Sequence, residues 1–267
     1  MRKGYKENVA LRGMGGMNKR GQLIIIVIIA IVFVSVVIVA FFVVPRTNLF
    51  TSEVNPSSFL GECIDPAVDE IISVTTKQGG YARPDNYILY ESMQVQYLCY
   101  TAENYVTCKV QQPLLVSHVE EEIKQYVQPR ARECMNELVR EYDKAGYSVE
   151  SEPGEIEVEI IPGSIVISFL SPLTVSREST QTFQKFSVGV NSELYDLLLT
   201  AVSIIDFEST YGDSETTQYI SYYPDLRIDK IRREDGTTIY KLSNVVTQDE
   251  FTFASRSLVW PQGYGTD

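Results

Sequence analysis

The chain has 267 residues, 44% of them hydrophobic, and carries 35 acidic against 23 basic side chains. All but one of the acidic residues follow residue 44, and a surface this acidic repels the phosphates of nucleic acids. We therefore expect no nucleic-acid partner. A single histidine, and a sequence without P-loop, HExxH or GxSxG motifs, also restrict the chemistry open to an enzyme.

The first predicted element is a transmembrane helix over residues 23–44, an apolar run of 22 residues interrupted only by Ser35. At ~1.5 Å per residue this helix would be roughly 33 Å long, close to the ~30 Å hydrocarbon core of a bilayer. Residues 1–22 carry six basic side chains and one acid, which predicts a cytoplasmic basic leader. We expect a single-pass protein of the cell membrane that contacts the lipid bilayer through residues 23–44 and has an extracytoplasmic C-terminal domain.

The residues just before the span are Lys19, Arg20, Gly21 and Gln22. This order is similar to archaeal prepilin leaders, which are cut after a glycine, so Gly21 and Gln22 form a candidate processing site. Pilins with such leaders tend to have a glutamate at the fifth position after the cut, where this chain has Ile26. We therefore favour a permanent anchor and keep, as the alternative, a pilin-like filament subunit processed after Gly21.

Residues 45–58 are rich in Pro, Asn and Ser and predict a stalk, so that residues 59–267 form the extracytoplasmic domain. All four cysteines lie in this domain, and an even number in an oxidising compartment predicts disulfide bonds. Of the three pairings, a hairpin with its turn at residues 103–104 favours Cys99 with Cys108, because it places them opposite each other. Cys63 is then left to pair with Cys134. The sequence has no CxxC pair, which argues against a zinc site.

The pattern of the domain predicts an α+β fold of antiparallel sheets and three to four helices, with a division into two subdomains near residue 150 left open. The first of these helices begins either at Asp65–Pro66 or near Ser58. Tyrosine-rich β segments follow it. A capping box at Ser117–Glu120 opens the next helix, which Pro129 breaks or kinks before it ends at Gly146.

The second half alternates strands with one more helix. Residues 155–160 alternate glutamate with isoleucine or valine, which is typical of a strand with one solvent-exposed face. An amphipathic helix is expected from Asn191 or Ser192 to Phe207, and Asp235–Gly236 predicts a type I′ hairpin turn. The predicted strands, of which the first three form an antiparallel meander, are 155–160, 164–175, 182–190, 226–233, 238–243 and 251–259.

Catalytic and metal-binding patterns are scarce in this domain. His118 stands among glutamates in the first turn of a predicted helix, as a solvated surface residue would. The acidic cluster Asp206, Glu208, Asp213 and Glu215 lacks the DxDxDG spacing of a calcium loop. We expect no enzyme, no cofactor and no metal. Paired carboxylates keep open a second alternative, an extracytoplasmic carboxylate-dependent enzyme.

The most motif-like segment of the domain is Gln78, Gly79, Gly80 and Tyr81. Two glycines after an apolar helical stretch are typical of a helix C-terminus, where one or both residues take a positive φ. The functional interpretation is a loop that exposes its backbone and contacts a partner. We keep both interpretations for this candidate partner loop.

The residues at 19–22 before the apolar span, Cys63, the segment 78–81, Cys134 on a helix and the segment 251–254 together resemble a group of uncharacterised single-span archaeal membrane proteins. The resemblance covers most of the chain. It implies that the helix cysteines Cys63 and Cys134 form a structural pair, and it implies no activity. With the absence of catalytic motifs, it favours a non-catalytic binding or scaffolding ectodomain of the cell envelope, whose partners are envelope proteins or further copies of this chain.

Overall fold

The computed structural model of this chain describes residues 28–38, 55–151 and 155–260. The predicted leader with Gly21 and Gln22, both ends of the predicted span and most of the predicted stalk lie outside these residues. Residues 28–38 are helical and form α1. Among the described residues, no helix combines the length and the apolar character that a membrane crossing requires.

The described residues form five helices and twelve strands. After α1 the helices are α2 (Pro56–Lys77), α3 (Leu115–Lys144), α4 (Leu194–Tyr211) and α5 (Thr217–Tyr222). The strands are β1 (Tyr87–Tyr90), β2 (Met93–Tyr100), β3 (Lys109–Val110), β4 (Ser148–Ser151), β5 (Ile156–Ile161), β6 (Ser164–Phe169), β7 (Leu173–Ser176), β8 (Thr180–Phe183), β9 (Phe186–Asn191), β10 (Leu226–Arg232), β11 (Thr238–Asn244) and β12 (Glu250–Arg256). The α+β class is confirmed.

Helix α2 uses the earlier of its two predicted starts. The side chain of Asn55 accepts hydrogen bonds from the backbone N–H groups of Ser57 and Ser58, so the last residues of the predicted stalk are already helical. Pro66 lies inside the helix on its solvent-exposed side, where water can satisfy the carbonyl that loses its partner. The N-cap at Asn55, rather than Asp65, therefore sets the start of this helix.

Helix α3 is a single helix that passes through Pro129, again on an exposed face. The predicted capping box at Ser117–Glu120 does not open it. The helix begins at Leu115, whose side chain is buried, and has no side-chain cap. Burial of this apolar first turn explains why the helix starts before the capping residues.

The largest sheet has the order β1-β2-β12-β11-β10, with β3 paired to β2. Strands β2 and β12 run parallel, and the other pairs are antiparallel. The sheet is thus mixed, whereas only antiparallel sheets were predicted. A parallel pair needs a long crossover, and here most of the domain lies between its two strands. Local turn signals carry no information about such a pairing.

Two three-stranded antiparallel sheets replace the predicted meander. One has the order β5-β6-β9 and the other β4-β7-β8, so the strands predicted at 164–175 and 182–190 each split between the two sheets. Pro172 lies in the first break, where its missing N–H ends the ladder. The period-two prediction for β5 is confirmed, since buried and exposed residues alternate along it.

Disulfide bonds join Cys63 on α2 to Cys134 on α3 and Cys99 on β2 to Cys108, which are the two predicted pairs. The predicted register is wrong, because Cys99 lies opposite Val110. The loop before Cys108 is instead held by the C-terminal segment: the Cys108 N–H donates to Ser257 Oγ at 3.0 Å. Two disulfides suggest an oxidising, extracytoplasmic location.

The C-terminal elements follow the prediction in outline. Helix α4 begins two residues after Ser192, whose Oγ accepts from the Leu194 N–H at 3.2 Å, and continues past Phe207 to Tyr211. The short helix α5 was not predicted. Strands β10 and β11 form the expected hairpin, but residues 233–237 make a five-residue loop. The two-residue turn is replaced because the Asp235 side chain accepts from the Thr237 N–H and closes a local turn of its own.

A large hydrophobic core connects α2, α3 and α4 with the sheets. It contains residues on both sides of position 150, where a division into subdomains had been left open. Helix α4 packs on β11 and β12, α2 on β12 and β9, and α3 on β4 and β5. The described residues from Asn55 onward belong to one structural unit.

Candidate functional site

The predicted partner loop at residues 78–81 is mostly packed into the protein. Gly79 and Gly80 have φ values of +70° and +90° and are buried. The Gly80 N–H donates to the carbonyl of Thr75 at 2.8 Å, as in a Schellman C-cap. A Cβ on Gly80 would lie 2.9 Å from Val119. Helix termination and close packing therefore account for both glycines, and a partner at this loop would meet the half-buried side chains of Gln78 and Tyr81.

His118 is half-buried rather than fully solvated, which corrects the expectation from the sequence. Its ring lies 4.0 Å from the ring of Tyr81, measured between centroids, and its Nε2 lies 3.9 Å from Glu122. Burial lowers the pKa of His118, and the nearby Glu122 opposes this effect. Among the described residues, the buried Nε2 of His118 has no hydrogen-bond partner, so no triad is formed through this atom.

Glu208, which in the sequence stands out only as a member of the acidic cluster, has its carboxyl group buried between α4 and the large sheet. The side chain of Glu208 accepts hydrogen bonds from the hydroxyls of Tyr240 and Ser255, and the Ser214 N–H lies 3.5 Å from its Oε1. Burial raises the pKa of Glu208, although the hydroxyl groups and Lys230 partly offset the effect. Both carboxyl oxygens of Glu208 accept hydrogen bonds from the protein, so we assign this side chain a structural role.

The other members of the predicted acidic cluster do not join Glu208. Asp213 pairs at the surface with Lys230 at 2.5 Å and with Arg232 at 2.6 Å, and Asp206 and Glu215 are exposed. Across the described residues, no group of three or more His, Cys, Asp or Glu side chains could hold a metal ion. The cluster is therefore divided between the core and the surface.

A concave surface that combines apolar and charged side chains lies between α4, α5 and the segment that enters β10. We call it the α4–α5 groove, and its volume is ≈ 380 Å³. Ser203 on α4 and Tyr219 on α5 share a hydrogen bond of 2.8 Å that joins its two walls. The groove is lined by Glu193, Asp196, Leu197, Leu199, Thr200, Ser203, Tyr219, Tyr223, Pro224, Asp225, Leu226 and Asn244.

The lining of the groove is both apolar and acidic. Leu199 and Tyr223 expose 45% and 61% of their surfaces although they are hydrophobic. Three lining residues are acids, and the lining contains no lysine or arginine. The groove can therefore contact apolar groups and cations.

The chain matches no protein-family model, no curated protein and no solved structure.

Proposed function

We propose that this chain is a single-pass membrane protein whose extracytoplasmic domain binds or scaffolds other components of the cell envelope without catalysing a reaction. The apolar run at residues 23–44 supports an anchor, and the basic leader supports a cytoplasmic N-terminus. The two disulfides support an extracytoplasmic domain. The α4–α5 groove is the observation that carries the binding role.

The arrangement of the carboxyl groups supports binding over catalysis. An enzyme that works through carboxylates needs two of them to converge on an accessible cleft, with their pKa values pushed apart. Among the described residues, Glu208 is the one carboxyl whose pKa is raised, and it is buried with both oxygens hydrogen-bonded. Of the acids that line the groove, Asp196 and Asp225 are exposed to solvent.

Site-specific photocrosslinking in native membranes tests the binding role. A photoreactive amino acid replaces Leu199 in the groove, and in the control it replaces Leu114, which is also exposed and apolar but precedes α3. We expect a reproducible crosslinked product from position 199 that is absent at position 114. Equal products at both positions, or none at either, would contradict a binding role for the groove.

Two further measurements address the anchor and the pilin alternative. Protein with residues 23–44 deleted should no longer sediment with membranes, and intact-mass analysis of the native protein should show no cut between Gly21 and Gln22. A mass that begins at Gln22, together with filaments in sheared cell fractions, would favour the pilin-like subunit.

A further inference from the structure

We infer that the α4–α5 groove takes a cationic, apolar segment of a partner polypeptide, seating a lysine or arginine side chain beside apolar neighbours. This inference rests on the proposed binding function and specifies its partner class. The groove is large enough for one or two side chains, and smaller than a seat for a whole helix. Its occupant is therefore a short segment.

Two acids that line the groove have no partner in the described part of the protein. Asp196 and Asp225 line the groove and are exposed, and neither carboxyl has an ion-pair or hydrogen-bond partner among the described residues. Some acids elsewhere on the protein are paired with lysine or arginine side chains. Glu250, for example, lies 3.0 Å from Lys241 and 3.5 Å from Lys77. The groove thus presents uncompensated negative charge, which a partner cation would complement.

The groove also has an aromatic and aliphatic surface beside these acids. Tyr219 and Tyr223 line the groove, and the face of a tyrosine ring attracts cations. Leu199 supplies an exposed aliphatic contact on the opposite wall, and Tyr222 and Ile220 of α5 extend the exposed apolar surface beyond the rim. A lysine or arginine buries its methylene stem on such surface while its charged end reaches the carboxylates.

These features also separate a polypeptide cation from other occupants. The acids do not form a metal-binding group, so a bare divalent ion is not favoured. A negatively charged headgroup or phosphate would be repelled by a lining that holds three acids and no base. The apolar wall distinguishes a basic, leucine-containing segment from a small polyamine, which has no side chain to place there.

The experiment uses the full-length protein in nanodiscs of phosphatidylcholine, so that the lipid adds no negative charge. The probe is a fluorescent, end-capped peptide of alternating lysine and leucine, and empty nanodiscs correct for its binding to lipid. Two comparison peptides replace every lysine by glutamate or every leucine by serine. We expect saturable binding of the lysine–leucine peptide only.

The matched variants are Asp196→Asn with Asp225→Asn in the groove and Asp65→Asn with Asp69→Asn on the exposed side of α2. Both pairs remove two negative charges. The groove pair should weaken binding about five-fold, since each exposed ion pair contributes a modest amount, and the α2 pair should leave it unchanged. Ser203→Arg, which places a cation in the groove, should abolish binding.

The outcomes separate the two proposals. Equal weakening by both acid pairs, or full competition by spermidine, would overturn the inference, because the attraction would then be nonspecific or directed at a small polyamine. If the probe fails to bind while position 199 still crosslinks to a partner, the cationic segment is wrong and the binding function stands. If neither the probe nor the crosslink is found, both proposals fall.

Discussion

Replacement of the buried Glu208 tests how the core between α4 and the large sheet is held together. Glu208 bonds the hydroxyls of Tyr240 and Ser255, and the side chains of both partners are fully buried. We compare Glu208→Gln, which keeps a polar group of the same shape, with Glu208→Leu, which removes it. The two variants separate the hydrogen bonds from the charge.

The size of the two effects follows from the partners that are left behind. Glu208→Leu leaves two buried hydroxyls without an acceptor, at roughly 1–3 kcal/mol each, so it should lower the free energy of unfolding by about 2–6 kcal/mol. In Glu208→Gln the amide oxygen accepts from one hydroxyl and the amide nitrogen donates to the other. We expect this variant to change the free energy of unfolding by about 1 kcal/mol or less at neutral pH.

The pH dependence has a definite sign. Burial raises the pKa of Glu208 above its ordinary value of 4.5, so the folded chain binds a proton more tightly than the unfolded chain does. Between these two pKa values, stability falls as the pH rises, because the folded state must give up a proton that it holds better. Below pH 4.5 Glu208 is protonated in both the folded and the unfolded chain, so its contribution to the free energy of unfolding is fully present there. Glu208→Gln has no proton to lose and lacks this dependence.

Urea unfolding of the wild type and of both variants across the range from pH 4 to pH 8 measures these quantities. The wild type should gain stability relative to Glu208→Gln as the pH falls. A wild-type profile parallel to that of Glu208→Gln would refute the raised pKa. A Glu208→Leu variant as stable as Glu208→Gln would refute the role of the hydrogen bonds.

Three further predictions concern the backbone and the disulfides, each measured by unfolding of the purified protein. Replacing both Cys63 and Cys134 by serine should lower the free energy of unfolding by about 4 kcal/mol, because this disulfide joins residues 71 apart in the sequence. Replacing both Cys99 and Cys108, which are 9 apart, should lower it by about 3 kcal/mol. A larger loss for the second pair than for the first would contradict this dependence on loop length. Gly146→Ala should lower the free energy of unfolding by about 1 kcal/mol, because Gly146 has a φ of +82° but no atom of the described residues lies where the new Cβ would be. Gly80→Ala should lower it clearly more, because its Cβ would also contact Val119. Equal losses would argue against close packing at Gly80. Changing Glu91–Ser92, whose φ values are 49° and 69°, to Asn-Gly should raise the Tm by about 2–4 °C, and an unchanged Tm would mean that the turn is unstrained.

The sequence predicted those helices and strands whose conformation follows from the burial of one face. The alternation in β5 and the helical spacing in α4 were correct, because burial of one face fixes the conformation within a single element. The Cys99–Cys108 pair was also predicted, although its register was not. The Tyr105 N–H donates to the carbonyl of Val259 at 2.9 Å, and this long-range bond helps to hold the loop before Cys108 open. The local sequence of the hairpin cannot predict a contact with residues near the C-terminus, so the register could not be predicted.

The burial of Glu208 could have been predicted from the sequence. It follows Ala201, Ile204 and Ile205 on the apolar stripe of α4, at the spacing that continues toward the core. An acid on such a stripe must be hydrogen-bonded or neutral, which predicts buried donors nearby. Its partners on β11 and β12 could not be named, because the strand register that places Tyr240 and Ser255 beside the helix is a tertiary property.

The α4–α5 groove was beyond prediction for a related reason. Helix α5 has six residues and no side-chain cap, so it carries no pattern that distinguishes it from a loop. The hydrogen bond between Ser203 and Tyr219, a tertiary contact, joins this helix to α4. Asp213 and Asp229 pair with lysine or arginine side chains, whereas Asp196 and Asp225 line the groove without an ion-pair partner among the described residues. Because the lining of this groove holds three acids and no lysine or arginine, α4 and α5 are the first place to look for the proposed partner.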